Sequence, residues 1–139
     1  NIELKNYHSP FDKLPDRVVE LIAGMHNLDV VLFSSFQPLN LIRIKRLLPE
    51  AKVALLVEEG FWWRGLASRS FSFLSPEFIH PYKSYIQRDY LDKEHALGRR
   101  VNVWTVDDPA EAASFMDWGI DGLITNDPPA MLGLLPHSH

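Results

Sequence analysis

The stretch VNVWTVDDPAEAASFMDWGIDGLITNDP, from Val101 to Pro128, contains the same pattern twice. An apolar, β-branched run ends in polar residues at Trp104-Thr105, and a second one ends at Thr125-Asn126. Between them, PAEAASFMDWG has a proline in its first turn and a glycine after its last turn, which predicts a helix. A strand, a helix and another strand in this order are typical of a parallel β/α unit with a right-handed crossover.

The same alternation extends along most of the chain. Strands are predicted for NIELK, DVVLFSSF, KVALLVEEG, EFIHP, RVNVWTV and IDGLIT. Helices are predicted for FDKLPDRVVELIAGMHNL, LNLIRIKRLLPE, SYIQRDYLDKEHALG, PAEAASFMDWG and PPAMLGLL, and the second of these has Leu41, Ile44, Leu47 and Leu48 on one side. An α/β fold follows, either an open doubly wound sheet or a (β/α)8 barrel.

Polar residues at the ends of the strands favour the barrel. They are Lys5, Ser34-Ser35, Glu58-Glu59, His80, Trp104-Thr105 and Thr125-Asn126. In a barrel the carboxyl ends of all strands meet at one rim, where barrel enzymes have their active sites. No glycine-rich phosphate loop follows any strand, which argues against a dinucleotide-binding sheet.

Composition excludes several classes of function. The chain has 139 residues, about one domain, with 46% hydrophobic and 23% charged residues, as in a soluble globular protein. A net charge of −4 does not favour nucleic acid as a partner, and no apolar run approaches the roughly 20 residues of a transmembrane helix. The absence of cysteine excludes disulfides and thiolate metal sites and favours a cytoplasmic location.

Four segments in this order resemble the glycerophosphodiester phosphodiesterase family, one of the phospholipase C-like barrel phosphodiesterases. They are NIELK, VLFSSFQP, VNVWTVDDP and GIDGLITNDP, and the last two form the most specific match, although Asn126 stands where the family often has aspartate. The resemblance implies a (β/α)8 TIM barrel that hydrolyses glycerophosphodiesters to glycerol 3-phosphate and an alcohol. It also implies a divalent cation, Mg²⁺ or Ca²⁺, held by carboxylates, and two histidines that act as acid and base.

Three motifs of that family are not found in this sequence: the H-R-G-type motif, the E-x-D pair and the H-D motif. Because the sequence starts at the family's I-E-[IL]-K strand, we expect an incomplete barrel of about six β/α units that lacks the N-terminal strands. Residues 1–135 would be the C-terminal part of a single barrel domain, and 136–139 a polar tail. We expect no catalytic histidine in this chain, and no activity from the chain alone.

The resemblance assigns site residues individually. Glu3 matches a metal carboxylate, and carboxylate oxygens are the ligands that Mg²⁺ and Ca²⁺ prefer. Lys5 lies two residues further on the same side of the strand, where its ammonium group would contact the phosphate. Trp104 matches an aromatic residue of the substrate pocket, and Phe36 and Ser35 are predicted to line the same pocket. Alternatively, Glu3 and Lys5 form an exposed pair and Trp104 is a core residue.

Other chemically active residues are given structural interpretations. His95 is predicted to be a packed or surface residue, whereas His80 and His8 could reach the rim. His137 and His139 lie in the tail. Asp107 or Asp108 is predicted to cap the helix that begins near Pro109. The cluster Phe61-Trp62-Trp63 could bind a lipid or sugar head group, but packing is the preferred interpretation. Ser34-Ser35 lacks the G-x-S-x-G context of a nucleophile.

Three hypotheses for function follow. The preferred one is a metal-dependent phosphodiester hydrolase acting on a small glycerophosphodiester. The second is a degenerate barrel relative that binds a phosphate ligand without turning it over. The third, from the β/α pattern alone, is an unrelated α/β enzyme or binding module. The alcohol group, the preferred cation and the oligomeric state are not predicted.

Overall fold

The computed structural model describes residues 1–9, 11–25, 28–58 and 77–135. The chain divides into two compact units, Asn1–Ile79 and His80–His139. The predictions for Glu59, for Phe61-Trp62-Trp63 and for the tail at 136–139 fall outside the described residues. Within the described ranges, no helix is both long and apolar enough to cross a membrane.

The described residues of the first unit include three parallel strands and two helices. Strand β1 (Ile2–Glu3) pairs with β2 (Leu32–Ser35), which pairs with β3 (Lys52–Val57). Helix α1 (Leu14–Ile22) lies between β1 and β2 in the chain, and α2 (Pro38–Leu47) lies between β2 and β3. Both helices have a proline in their first turn, where its missing N–H costs no helical hydrogen bond.

The core of this unit shows which face of the sheet each residue occupies. Leu4, Phe33 and Val53 are buried in one cluster with Leu41 and Ile44 of α2. Side chains alternate between the two faces of a strand, so Glu3 and its register partner Ser34 lie on the face opposite to this cluster. Leu47, which was predicted to share the apolar side of α2, is instead 43% exposed because it lies in the last turn of the helix.

The second unit has three strands, although β4 (Phe78–Pro81) begins in the first unit. Strand β5 (Arg100–Trp104) pairs in parallel with β6 (Gly122–Ile124), and Asn102 lies opposite Gly122. A parallel bridge joins Tyr82 to Trp104. The helices are α3 (Arg88–Ala96), α4 (Pro109–Trp118) and α5 (Pro128–Leu132).

The residues that the sequence predicts at the start and the end of α4 have the expected geometry. The Asp108 side chain accepts a hydrogen bond from the Ala110 N–H at the start of the helix. Gly119 follows the last turn in the left-handed conformation, with φ of 90°, which a residue without a Cβ adopts at little cost. The prediction that Asp107 or Asp108 caps this helix is therefore confirmed, and the capping residue is Asp108.

Candidate active site

Glu3 and Lys5 form an ion pair at the end of β1. The Lys5 Nζ lies 3.4 Å from Glu3 Oε2, and the side chains are 67% and 26% exposed, respectively. The other carboxylate oxygen, Oε1, accepts a hydrogen bond of 2.6 Å from the Tyr7 hydroxyl. An exposed pair of this kind adds little stability, so both groups are available for a ligand without a large loss to the fold.

Tyr7 was not among the predicted site residues, yet it contacts Glu3, Phe36 and Gln37. Its ring packs edge to face on Phe36, with the centroids 5.7 Å apart, and its carbonyl accepts a hydrogen bond from Gln37 Nε2. Burial raises the pKa of Tyr7 well above its usual value, and the hydrogen bond to Glu3 and the negative charges of Glu3 and Glu58 act in the same direction. The phenol therefore stays protonated and donates to Glu3.

A cleft of about 300 Å3 opens beside this tyrosine. The described residues that line it are Tyr7, Phe36, Gln37 and Glu58. Phe36 directly follows β2, and Glu58 directly follows β3, so both belong to strand ends. The structure thus places the predicted pocket residue Phe36 next to the tyrosine that holds Glu3.

Ser35 has a structural role instead of the predicted substrate contact. Its hydroxyl donates to the Leu4 carbonyl at 2.9 Å and accepts from the Gln37 N–H and from Asn40 Nδ2. A hydroxyl has one proton and two lone pairs, so its hydrogen-bonding capacity is filled. The residue is fully buried and joins the end of β1 to the start of α2. Ser34, on the Glu3 face, is also fully buried.

Trp104 lies in the second unit, half-buried at the end of β5. Its indole Nε1 donates to the His80 carbonyl at 2.8 Å, and its ring lies 5.1 Å from the Tyr82 ring, centroid to centroid. The peptide bond between Trp104 and Thr105 is cis. Two independent contacts therefore hold the Trp104 ring in one orientation while part of it remains exposed.

His80 is buried within the second unit and does not contact solvent. Its Nε2 lies 3.0 Å from Asn102 Nδ2, and its Nδ1 has no hydrogen-bond partner among the described residues. Burial lowers the pKa of His80 to about 4, because the charged imidazolium cannot be solvated there. His80 is therefore neutral near pH 7, and the possible rim position suggested by the sequence is not the one it occupies.

The remaining histidines of the described residues are exposed. His95 lies 2.8 Å from Asp121, which also accepts a hydrogen bond from the Val101 N–H, so the predicted surface position is correct. His8 is exposed in the turn that follows Tyr7.

Asp107 binds the turn that follows β6. Its carboxylate accepts hydrogen bonds from Thr125 Oγ1, from the Asn126 N–H and from Asn126 Nδ2, at 2.8–2.9 Å. These bonds, first of all the one from the Asn126 backbone, lower the pKa of Asp107. Asn126 fits this contact because its amide donates, whereas an aspartate there would place two carboxylates together.

Glu3 is a candidate ligand for a cation at the rim. Glu3 offers a hard, anionic oxygen at a strand end, which suits Mg²⁺ or Ca²⁺. In the parts of the chain that the structure describes, no group of three or more acidic or histidine side chains is close enough to hold a metal ion. Glu3 therefore accounts for one ligand of the predicted cation.

Comparisons with known proteins agree on one family. The model of the glycerophosphoryl diester phosphodiesterase family matches residues 2–130. A glycerophosphodiester phosphodiesterase of Caldanaerobacter subterraneus is 25% identical over 138 residues, which are 97% of this chain and 54% of that protein.

Solved structures show the same fold. An Oleispira antarctica phosphodiesterase, solved in complex with the product sn-glycerol-3-phosphate, superposes with a TM-score of 0.82 at 23% identity. The match covers 96% of this chain and 53% of that structure. A glycerophosphodiester phosphodiesterase of Parabacteroides distasonis gives a TM-score of 0.70 at 22% identity, over 86% and 49%.

The chain thus spans about half the length of the relatives it matches. The prediction of an α/β fold that forms part of a (β/α)8 barrel is confirmed by these superpositions. The family model covers most of the sequence, including the strands that carry Glu3, Phe36 and Trp104. The chain belongs to the glycerophosphoryl diester phosphodiesterase family.

Proposed function

We propose that the whole protein is a metal-dependent hydrolase that cleaves glycerophosphodiesters to glycerol 3-phosphate and an alcohol. The observation that carries the proposal is the Glu3–Lys5 pair at the end of β1, in a chain that belongs to this family. The Oleispira relative, which binds sn-glycerol-3-phosphate as its product, supports a small phosphate ligand. We further propose a cytoplasmic location.

Each residue of the rim has a role in this proposal. Glu3 would hold the divalent cation, Mg²⁺ or Ca²⁺, which when bound neutralises negative charge on the phosphodiester. The Lys5 ammonium group, 3.4 Å from Glu3, would contact a phosphate oxygen and stabilise the charge that builds up there during hydrolysis. Phe36 would line the pocket for the organic part of the substrate, and a substrate contact by Trp104 stays a prediction of the family resemblance.

Proton transfer requires an acid and a base, and two histidines of the described residues are poorly suited to these roles. His80 is buried and neutral, and His95 is paired with Asp121. The sequence also lacks the histidine motifs that the family resemblance implies for acid and base. We therefore propose that residues 1–139 alone do not hydrolyse the substrate.

The test uses the full-length protein with glycerophosphocholine, with added Mg²⁺ or Ca²⁺ or with EDTA. We expect cation-dependent release of choline, and we expect Glu3→Gln to lower kcat at least about a hundredfold, since it removes the charge of a metal ligand. Glu20→Gln, the same change at an exposed position of α1, is the matched control and should retain the wild-type rate. Equal rates for the two variants would remove Glu3 from the mechanism. Phosphate binding without turnover would favour the degenerate relative.

A further inference from the structure

The Tyr7 hydroxyl contacts only one of the two carboxylate oxygens of Glu3. It donates to Oε1 at 2.6 Å, whereas the Lys5 Nζ lies 3.4 Å from Oε2. We propose that Tyr7 is a positioning residue that makes Glu3 bind a cation through Oε2 alone and thereby favours Mg²⁺ over Ca²⁺. The inference rests on the proposed function and adds to it a reason for the choice of cation.

The two contacts of Glu3 differ in strength. A bond of 2.6 Å between a hydroxyl and a carboxylate is short and charge-assisted, which is the stronger class of hydrogen bond. The Lys5 contact is longer, and the Lys5 side chain is 67% exposed, so this ion pair adds little stability. A cation that binds Glu3 therefore displaces Lys5 from Oε2 more readily than it displaces Tyr7 from Oε1.

The position of Tyr7 does not depend on Glu3 alone. Its carbonyl accepts a hydrogen bond of 3.0 Å from Gln37 Nε2, and its ring packs edge to face on Phe36. The preceding residue, Asn6, accepts a hydrogen bond from Nδ2 of Asn40, which is fully buried in α2. Because these contacts fix the backbone and the ring, the hydroxyl has a defined place beside Oε1, and the carboxylate has to adapt to it.

Mg²⁺ and Ca²⁺ differ in how they use a carboxylate. Mg²⁺ requires nearly octahedral geometry at about 2.0–2.1 Å and keeps several waters, so one oxygen of a carboxylate suits it. Ca²⁺ takes roughly six to eight oxygen ligands at about 2.3–2.6 Å and often binds both oxygens of one carboxylate. A hydrogen bond that occupies Oε1 therefore removes a ligand from Ca²⁺ and costs Mg²⁺ little.

The charge of Glu3 does not decide between the two cations. Both carry two positive charges, so a change in the charge nearby alters both affinities in the same direction. The number of oxygens that Glu3 offers has a different effect, because it changes one affinity relative to the other. The ratio of the two affinities thus separates positioning by Tyr7 from a general effect on the site.

The experiment measures cation binding to full-length Tyr7→Phe, which keeps the ring and removes only the hydroxyl. The rise in melting temperature with MgCl2 or CaCl2 gives an apparent Kd for each cation without any turnover. We expect the ratio of the Kd for Ca²⁺ to the Kd for Mg²⁺ to fall about fivefold in Tyr7→Phe, which is the usual effect of one hydrogen bond. Tyr90→Phe, the same change in helix α3 of the second unit, is the matched control and should leave the ratio unchanged.

Hydrolysis of glycerophosphocholine supplies a second readout, since the concentrations of Mg²⁺ and Ca²⁺ that give half-maximal rates should change in the same ratio. If Tyr7 only supports the loop after β1, Tyr7→Phe lowers the melting temperature without added cation and weakens the binding of both cations equally, and the inference is wrong. If the cations bind but the diester is not hydrolysed, the proposed function fails, and the binding ratio alone supports or overturns the role of Tyr7. If neither cation binds, the inference and the metal dependence of the proposed function fail together.

Discussion

Gly122 gives the sharpest test of the packing under Trp104. A Cβ atom at Gly122 would lie 2.5 Å from Oδ1 and 3.0 Å from Cγ of Asn102, closer than such atoms approach. Its backbone does not have a positive φ, so alanine is compatible with the backbone itself. The Gly122→Ala substitution therefore acts through Asn102, whose side chain has to move by about 0.9 Å to restore an ordinary contact near 3.4 Å.

That movement breaks the hydrogen bond between Asn102 and His80. The bond is 3.0 Å long and part-buried, His80 itself is fully buried, and the other ring nitrogen of His80 has no partner among the described residues. A buried polar group that loses its partner costs about 1–3 kcal/mol. Alanine recovers about 0.4–1 kcal/mol because it restricts the unfolded chain. The midpoints of these two ranges give an expected net loss in the free energy of unfolding of about 1.3 kcal/mol.

Urea unfolding of a double-mutant cycle measures this coupling. In an Asn102→Ala background the obstructing side chain is gone, so we expect Gly122→Ala to be neutral or slightly stabilising there. Gly24→Ala, at a glycine with open space around its Cβ position and no positive φ, is the matched control and should not destabilise. An equal loss of stability from Gly122→Ala with and without the Asn102 side chain would refute the reasoning.

Two further predictions concern the same unit. Burial lowers the folded-state pKa of His80 to about 4, below its ordinary value of 6.5. Because the folded state disfavours the protonated imidazole, the free energy of unfolding is highest above pH 6.5 and falls by roughly 3 kcal/mol as the pH drops through 4. Urea midpoints measured from pH 7 to pH 4 should fall more steeply for wild type than for His80→Gln, and equal slopes would contradict this. Asp107→Ala removes three hydrogen bonds to Thr125 and Asn126. Hydrogen exchange should therefore become faster at the Asn126 amide but stay the same at the Val103 amide, which is the control. Unchanged exchange at Asn126 would show that Asp107 does not hold the turn.

The strands and helices were predictable because their signals are local. Alternating strand and helix periods, prolines in first turns and Gly119 after α4 each act within a few residues. Leu47 shows the limit of this reasoning. A helical pattern identifies an apolar face, but it does not show how far along the helix the neighbouring sheet extends.

The site was predicted in part, for a physical reason that Ser34 and Ser35 illustrate. Adjacent strand residues point to opposite faces, so an error of one position exchanges a rim residue for one in the helix layer. The sequence alone did not show which serine faced which way. In the structure, the register between Glu3 and Ser34 places Ser34 on the Glu3 face. The three hydrogen bonds of Ser35 place that residue on the opposite face.

Tyr7 was missed because its role depends on a turn. It follows β1 by four residues and returns its hydroxyl to Glu3 only because the chain bends after Lys5, where Ser9 N donates to the Asn6 carbonyl. The period-2 spacing of Glu3, Lys5 and Tyr7 was the available signal, since all three share a side if the strand is extended. The contact between Asp107 and Asn126 spans 19 residues, and no local pattern indicates it.

The polar residues at the ends of β5 and β6 suggested a site, but their side chains form hydrogen bonds within the protein. Both carboxylate oxygens of Asp107, just after β5, accept hydrogen bonds from the turn after β6. The Trp104 indole N–H donates to the His80 carbonyl. A polar side chain at a strand end is therefore a weak indicator of substrate contact until its own hydrogen bonds are counted. Glu3, Lys5 and Glu58 differ from Asp107 in their contacts: Glu3 pairs with Lys5 and accepts from Tyr7, and Glu58 is exposed directly after β3. These three charged side chains can therefore exchange contacts with solvent for contacts with a charged ligand.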